Sequence, residues 1–542
     1  MATATVGSYL IERMAELGIR HVFGIPGDYV LGFYAQLERS SLAVVNCADE
    51  QGAGYAADAY ARVNGIGAVC VTYGVGGLKV VNTSAQAFAE KSPVIVISGG
   101  PGVRERERDA LLHHKVRSFE SQLVVFREVT CASAIVDDAD RAQAEIDRVL
   151  AACKRHSQPV YLELPRDAVD ATFTLRPREE PAPQRDEAEL HEALAETTDL
   201  LAAAKRPVII AGEELARFGI GDRLASLLER SGIPVATTTL SKSVLDETHP
   251  LYVGVYEGAL GHETTRRYVE RSDCLVILGA NLSDVTLGID TAHLDPEVTI
   301  RSNAVETWVH RHLYPDVTLV DFVAGLSATL PARAGTAVEN PPRPEAWVPV
   351  PGSPVTIVRL IQCLNAFIDE GTTVVADVGD ALFASIDLLV EAWDFIAPAY
   401  YLSLGFAVPG SIGVQLARPG TRPLVIVGDG AFQMTGMELT TAVRYGLDPI
   451  VIVLDNAGYG TERPMLDGPF NDVVPWHYER LPELLGAGRG YDVRTEDDLD
   501  AALDAARDER GGYALLRVHL EPDDMSPALR RLTALMRERV KA

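Results

Sequence analysis

A chain of 542 residues has room for roughly three or four domains, so its cores need neither disulfides nor metals to hold them. Its composition, 47% hydrophobic, 23% charged and 7% aromatic, excludes disorder and low-complexity scaffolds for the chain as a whole. With 76 acidic and 49 basic residues the net charge is −27, a field that repels nucleic-acid phosphates and anionic lipid surfaces and argues against both as partners.

The opening MATATVGSYLIERMAELG lacks the basic-then-apolar order of a signal peptide and predicts an amphipathic helix with Val6, Leu10, Ile11, Met14 and Leu17 on one face. The six cysteines, Cys47, Cys70, Cys131, Cys153, Cys274 and Cys363, form no CxxC pair and read as reduced thiols of a cytoplasmic protein. Short apolar runs then recur, at 43–47, 68–73, 93–99, 160–165, 207–212, 274–280, 373–379, 424–431, 450–456 and 514–520. All are far short of the ~20 residues that span a bilayer. Runs without alternation suit strands buried on both faces of parallel sheets, and Ala- and Leu-rich helical stretches lie between most of them, so the fold class is α/β. Two proline-rich, charged segments, 175–187 and 339–354, read as linkers and divide the chain into domains at 1–175, 187–338 and 352–542. The first and third share a rhythm of strands and helices.

The sharpest chemical signal lies in the third domain. One apolar strand stops at Gly428-Asp429-Gly430 and another at Asp455-Asn456 shortly before Gly458, and open parallel sheets bind ligands just past their strand ends. Asp429 and Asn456 offer hard oxygen donors suited to Mg²⁺, while the glycines admit a diphosphate close to the backbone. Either cluster alone also fits a helix cap or a turn. Together they resemble the GDG…N motif of thiamine diphosphate enzymes.

That resemblance implies that Asp429, Asn456 and the Gly458 carbonyl bind Mg²⁺, which holds the cofactor's diphosphate beside Gly428, Gly430, Ala431 and Tyr459. In the first domain, Glu50 follows a strand and opens the helix QGAGYAADAYAR. On local sequence it fits a carboxylate answering the helix dipole. The resemblance makes it instead the glutamate that activates the cofactor's pyrimidine, with the loops GIPGD (24–28) and TYGVGG (72–77), hence Thr72, in the same domain. Asp28, the pair His113-His114 and Glu462 stand where the pyruvate and indolepyruvate decarboxylase group carries its proton-relay residues. Asp380 joins the cofactor-binding set, Leu404 falls where the family's bulky aliphatic residue wedges the cofactor, and Leu402 lends its backbone carbonyl.

The resemblance covers essentially the whole chain and implies non-oxidative decarboxylation of a 2-oxo acid to an aldehyde and CO2, with thiamine diphosphate and Mg²⁺ as cofactors. The central domain shows no GxGxxG and is expected to hold none. Where pyruvate-specific members carry a tryptophan and isoleucines, this chain has Leu382, Phe383, Thr461 and Met465. With Phe406 these suggest a wall suited to a branched, long aliphatic or aryl substrate. Because Glu50 and Asp429 lie in different domains, the family's arrangement puts the site between subunits of a homodimer or homotetramer. The alternatives are a thiamine-dependent carboligase and a catalytically silent binding protein of the same fold.

Overall fold

The structure, a computed structural model, describes residues 2–178, 186–332, 338 and 345–540. Residues 179–185 of the first linker and 339–344 of the second therefore lie outside the described residues. Every apolar run becomes a strand. Gly67–Val71, Val94–Gly100 and Val160–Pro165 are buried at every residue, which is why they carry no alternation.

Three large sheets result. The first runs, all parallel, in the order Ala43–Asn46, His21–Gly24, Gly67–Val71, Val94–Gly100, Val160–Pro165, Ala132–Ile135. The third runs Phe395–Ile396, Thr372–Ala376, Arg422–Gly428, Ile450–Asp455, Ala514–His519, Arg489–Val493, again all parallel. Taken by the chain order of their own strands, both sheets read second, first, third, fourth, sixth, fifth. Between them in sequence, a seven-stranded sheet joins five parallel strands to an antiparallel edge, Thr307–Val309 and His312–Tyr314. The expected amino-terminal helix forms over Val6–Glu16, closed by a capping box between Thr5 and Ser8.

The shared topology has a packing consequence. The helix Glu50–Asn64 follows the second strand of the first sheet and Ala407–Ala417 follows the second strand of the third, and these two equivalent helices pack against each other. Small residues let them approach: a Cβ on Gly413 would lie 2.0 Å from the Ala56 carbonyl oxygen. Phe406, expected as a pocket wall, is fully buried in this shared core beside Tyr55. A buried polar clamp completes the contact. Arg62 pairs with Asp58 at 2.9 Å and Glu90 at 2.8 Å and donates to the Ala397 carbonyl, while Glu90 accepts the amides of Tyr400 and Tyr401. Burial pushes the Asp58 carboxyl up, but the Arg62 charge and hydrogen bonds from Arg62 and Gln86 outweigh it and leave the group below its ordinary range.

Among the described residues no helix is long and apolar enough to cross a membrane. All six cysteines are free thiols, and all but Cys131 are buried.

Candidate active site

One half of the site lies at the carboxyl edge of the first sheet. Strand Ala43–Asn46 leads into Glu50, the first residue of its helix, with Asp49 capping the amide of Gln51. The Glu50 carboxylate is largely shielded, lies 3.3 Å from the Lys79 ammonium, and faces Gly76. Lys79 is also ion-paired with Asp49. The strand entering this corner is braced from the third domain: Tyr445 OH accepts the Asn46 amide and donates to the Val44 carbonyl, and the buried Glu438 accepts the Ala48 amide at 2.8 Å. Burial raises the Glu438 carboxyl. Nothing in the sequence singled out Glu438 or Tyr445, because their partners are backbone groups nearly 400 residues away.

Thr72 immediately follows the strand Gly67–Val71, packed on Gly27, and its buried hydroxyl has no hydrogen-bond partner among the described residues. Asp28, His113 and His114 gather beside it with one ligand-type atom each within 4.8 Å of the others. Asp28 Oδ2 lies 2.8 Å from His113 Nε2, and the two imidazole rings stand nearly perpendicular at 4.7 Å. Tyr29 OH donates to the His113 carbonyl, and His114 sits at φ +66°, with its Nδ1 buried and unpartnered. Three residues that sequence separates by up to 86 positions thus come together, through a hydrogen bond between Asp28 and His113 and a ring contact between the two histidines.

The other half lies at the same edge of the third sheet. Asp429 is 1% exposed, and burial pushes its carboxyl up to about 7 against the amides of Gly430 and Gly458 that donate to it. Asn456 Oδ1 is buried and has no hydrogen-bond partner among the described residues. Its neighbour Asp455 is ion-paired through Oδ2 with Arg517 at 2.6 Å. An orphaned amide oxygen near a costly buried carboxylate fits a divalent cation. The Gly458 carbonyl accepts the Gly460 amide at 3.0 Å in the same turn, which leaves it one lone pair. Gly430 is pinned by the Tyr459 ring, which an added Cβ would meet at 2.6 Å, while Gly428 precedes and Ala431 lies within the helix Asp429–Thr435.

Leu402 adopts φ +58°, a backbone that L-residues rarely hold, and Leu404 is half-buried against the shared core. The segment is fixed from both sides. Asp377, pushed up to about 6 by burial, accepts the amides of Gly405 and Ala407, while Ser403 Oγ lies 2.6 Å from Tyr55 OH and accepts from Asn82. Asp377, like Glu438 and Tyr445, is a residue that sequence reasoning missed.

Other candidates are placed differently. Asp380 opens the helix Asp380–Ser385, but its carboxylate accepts the amide and hydroxyl of Ser526, and burial raises it to about 6. Leu382 is fully buried in the third domain's core and Phe383 in a cluster with Leu529 and Leu532, so neither side chain lines an open wall in this chain. Thr461 touches Gly379 and Met465 is half-buried. Glu462 is exposed, and among the described residues its carboxylate has no hydrogen bond or ion pair, nor any link to Asp28, His113 or His114. The two half-sites do not meet within one chain by any hydrogen bond or ion pair of their own side chains among the described residues. A cavity of about 690 Å³ lies instead where the three domains meet, lined by residues that include Arg62, Arg217 and Trp393.

Three family descriptions match in register with the sheets: the amino-terminal TPP-binding domain of thiamine pyrophosphate (diphosphate) enzymes over residues 4–120, their central domain over 194–330, and their carboxy-terminal TPP-binding domain over 377–518. The chain is 37% identical over 534 residues to an indole-3-pyruvate decarboxylase of Azospirillum brasilense, covering 96% of each. It is 33% identical over 546 residues to an alpha-keto-acid decarboxylase of Mycobacterium leprae, covering 98% of this chain and 95% of the relative. A Mycobacterium tuberculosis protein of the same description is 33% identical over 549 residues, covering 98% and 97%. With both half-sites in place and likeness along nearly its whole length, the chain belongs to the thiamine diphosphate-dependent 2-oxo acid decarboxylase family.

Proposed function

We propose that the protein decarboxylates a 2-oxo acid larger than pyruvate, releasing an aldehyde and CO2, with thiamine diphosphate and Mg²⁺ held between two subunits. The observation that carries the reading is the Asp28, His113 and His114 group beside Glu50, a proton relay next to the carboxylate that would touch the pyrimidine. Asp429, Asn456 and the Gly458 carbonyl would hold the magnesium and through it the diphosphate. Leu402 would accept from the pyrimidine's amino group, and Leu404 would support the ring from below. When bound, the thiazolium supplies a sink for the electron pair that CO2 leaves behind.

The chain's own groups then manage protons. Glu50 holds the proton at the pyrimidine ring nitrogen. Asp28 Oδ2 accepts from His113 Nε2 and so orients the ring, and the histidine pair would protonate the carbon left by CO2 and accept the hydroxyl proton as the aldehyde departs. Glu462, exposed and unpartnered in one chain, would join this group from the second subunit.

Subunit pairing is supported by the surfaces around the half-sites. Val75, Leu111 and Val116 are exposed beside Glu50 and the histidines, and Met434, Phe470 and Val474 beside the metal residues, with Leu111 at 94% and Val474 at 74%. Apolar side chains clustered around two incomplete half-sites are what an assembly interface presents. A substrate larger than pyruvate is supported by the pliable Met465 and by the relative whose description is indole-3-pyruvate decarboxylase.

The test is aldehyde formation from pyruvate, 2-oxoisovalerate, 2-oxo-octanoate, phenylpyruvate and indolepyruvate, with and without thiamine diphosphate and Mg²⁺. Aldehyde appearing only with both cofactors, and faster from a larger acid, is expected. Acyloin with no free aldehyde would move the reading to carboligation. Pyruvate turned over faster than every larger acid would overturn the substrate class.

A further inference from the structure

The turn Gly74–Gly77, the N-cap and first turn of the short helix Val75–Lys79, lies between the two chemical groups of the first half-site. On one side a Cβ at Gly74, which sits at φ +71°, would collide with His114 at 2.7 Å; on the other, a Cβ at Gly76 would lie 3.6 Å from Glu50 Oε1. What holds this turn comes from a different element. Gln122, on the helix Ser121–Glu128 and 2% exposed, accepts the Gly74 amide at 2.7 Å through Oε1. Its Nε2 donates to Ser98 Oγ at 2.8 Å and Tyr161 OH at 2.6 Å, and its carboxamide fills the space where Gly77 lacks a side chain. Tyr161 in turn donates to Glu163, which is ion-paired with Arg106.

The amide's orientation follows from its partners, since a backbone N–H can only donate and must face the oxygen. One acceptor and two donors are all satisfied, so the carboxamide has little freedom left. It is buried, and among the described residues it makes no hydrogen bond to Glu50 or His114. We infer that Gln122 is a positioning residue for the reaction: it fixes the Gly74–Gly77 turn, and the turn sets the spacing between the Glu50 carboxylate and the His114 imidazole. This inference rests on the roles proposed above for Glu50 and His114.

Gln122→Met keeps the volume and removes the acceptor, whereas Tyr161→Phe removes one partner of the same network and leaves the bond to Gly74. In the apoenzyme, hydrogen exchange of the Gly74 amide should accelerate about tenfold or more in Gln122→Met and stay unchanged in Tyr161→Phe. In the loaded enzyme, Gln122→Met should lower kcat by about 10- to 100-fold, with KM for the 2-oxo acid within about threefold and a displaced pH profile of kcat. Gln122→Glu, which restores an acceptor for Gly74, should recover most of the loss. Equal losses of activity in Gln122→Met and Tyr161→Phe, in proportion to lost thermal stability and with Gly74 exchange unmoved, would overturn the inference and leave a core glutamine. A fully active Glu50→Gln would instead overturn the underlying roles, whatever Gln122 does.

Discussion

The first and third sheets share strand order, direction and the helix that follows the second strand, yet they carry different chemistry at the same edge. In the first, the second-strand junction presents Glu50 and the third-strand junction the small residues of TYGVGG. In the third, the second-strand junction leads to the strained Leu402, and the third- and fourth-strand junctions present Asp429 and Asn456. On the proposed function, one frame would serve both a ring that must exchange protons and a diphosphate that must be neutralised. The difference lies in the residues just past the strand ends, in loops and at the first positions of helices, which is how a fold is reused without fixing a function.

The comparison breaks most completely at the metal residues. Asp429→Asn should abolish the magnesium-dependent rise in melting temperature with thiamine diphosphate and cut activity by at least about a thousandfold, some 4 kcal/mol. Retained magnesium-dependent stabilisation would show that the third sheet is not the diphosphate half. Glu50→Gln should keep that stabilisation while lowering kcat by about 10²- to 10⁴-fold, which separates binding from proton chemistry. Asp28→Asn should cost about 10²-fold, with aldehyde release slowed more than CO2 release, as seen by following both products. If both products fall equally, Asp28 acts before the proton relay.

Two smaller effects test the frame itself. Gly413→Ala forces a methyl onto the Ala56 carbonyl oxygen where the equivalent helices cross and should destabilise by about 1–3 kcal/mol in urea unfolding. The smallest is a pH effect on the apoprotein. Asp429 is raised to about 7 by burial, so its contribution favours the fold below the unfolded carboxylate range and is lost as pH rises through 7. Melting temperature of the apoprotein should therefore fall between pH 4 and 7 by a component absent in Asp429→Asn, and an identical pH dependence in the two would refute it.

Much of this was legible in the chain. Runs such as 93–99 and 450–456 became Val94–Gly100 and Ile450–Asp455 because a strand covered on both faces has no choice but continuous apolar residues. The strands that escaped notice, His21–Gly24 and Arg489–Val493 among them, are short and carry a histidine or charged residues, so only their neighbours make them strands. Leu382 and Phe383 read as pocket walls by analogy and lie in cores, since sequence does not tell which way a helix of six residues turns its side chains.

By itself the sequence determined the α/β class, the three-part organisation and the residue types able to bind magnesium and move protons, because each follows from local pattern and from spacing along one strand-loop-helix unit. Only the tertiary structure decided that Asp28 reaches His113, that Arg517 pairs with Asp455 while the Asn456 amide oxygen has no partner among the described residues, and that Glu438, Asp377 and Gln122 brace the site. Those contacts join residues far apart in the chain, and which buried polar group finds which partner is settled by packing, where every unpaired donor or acceptor costs free energy.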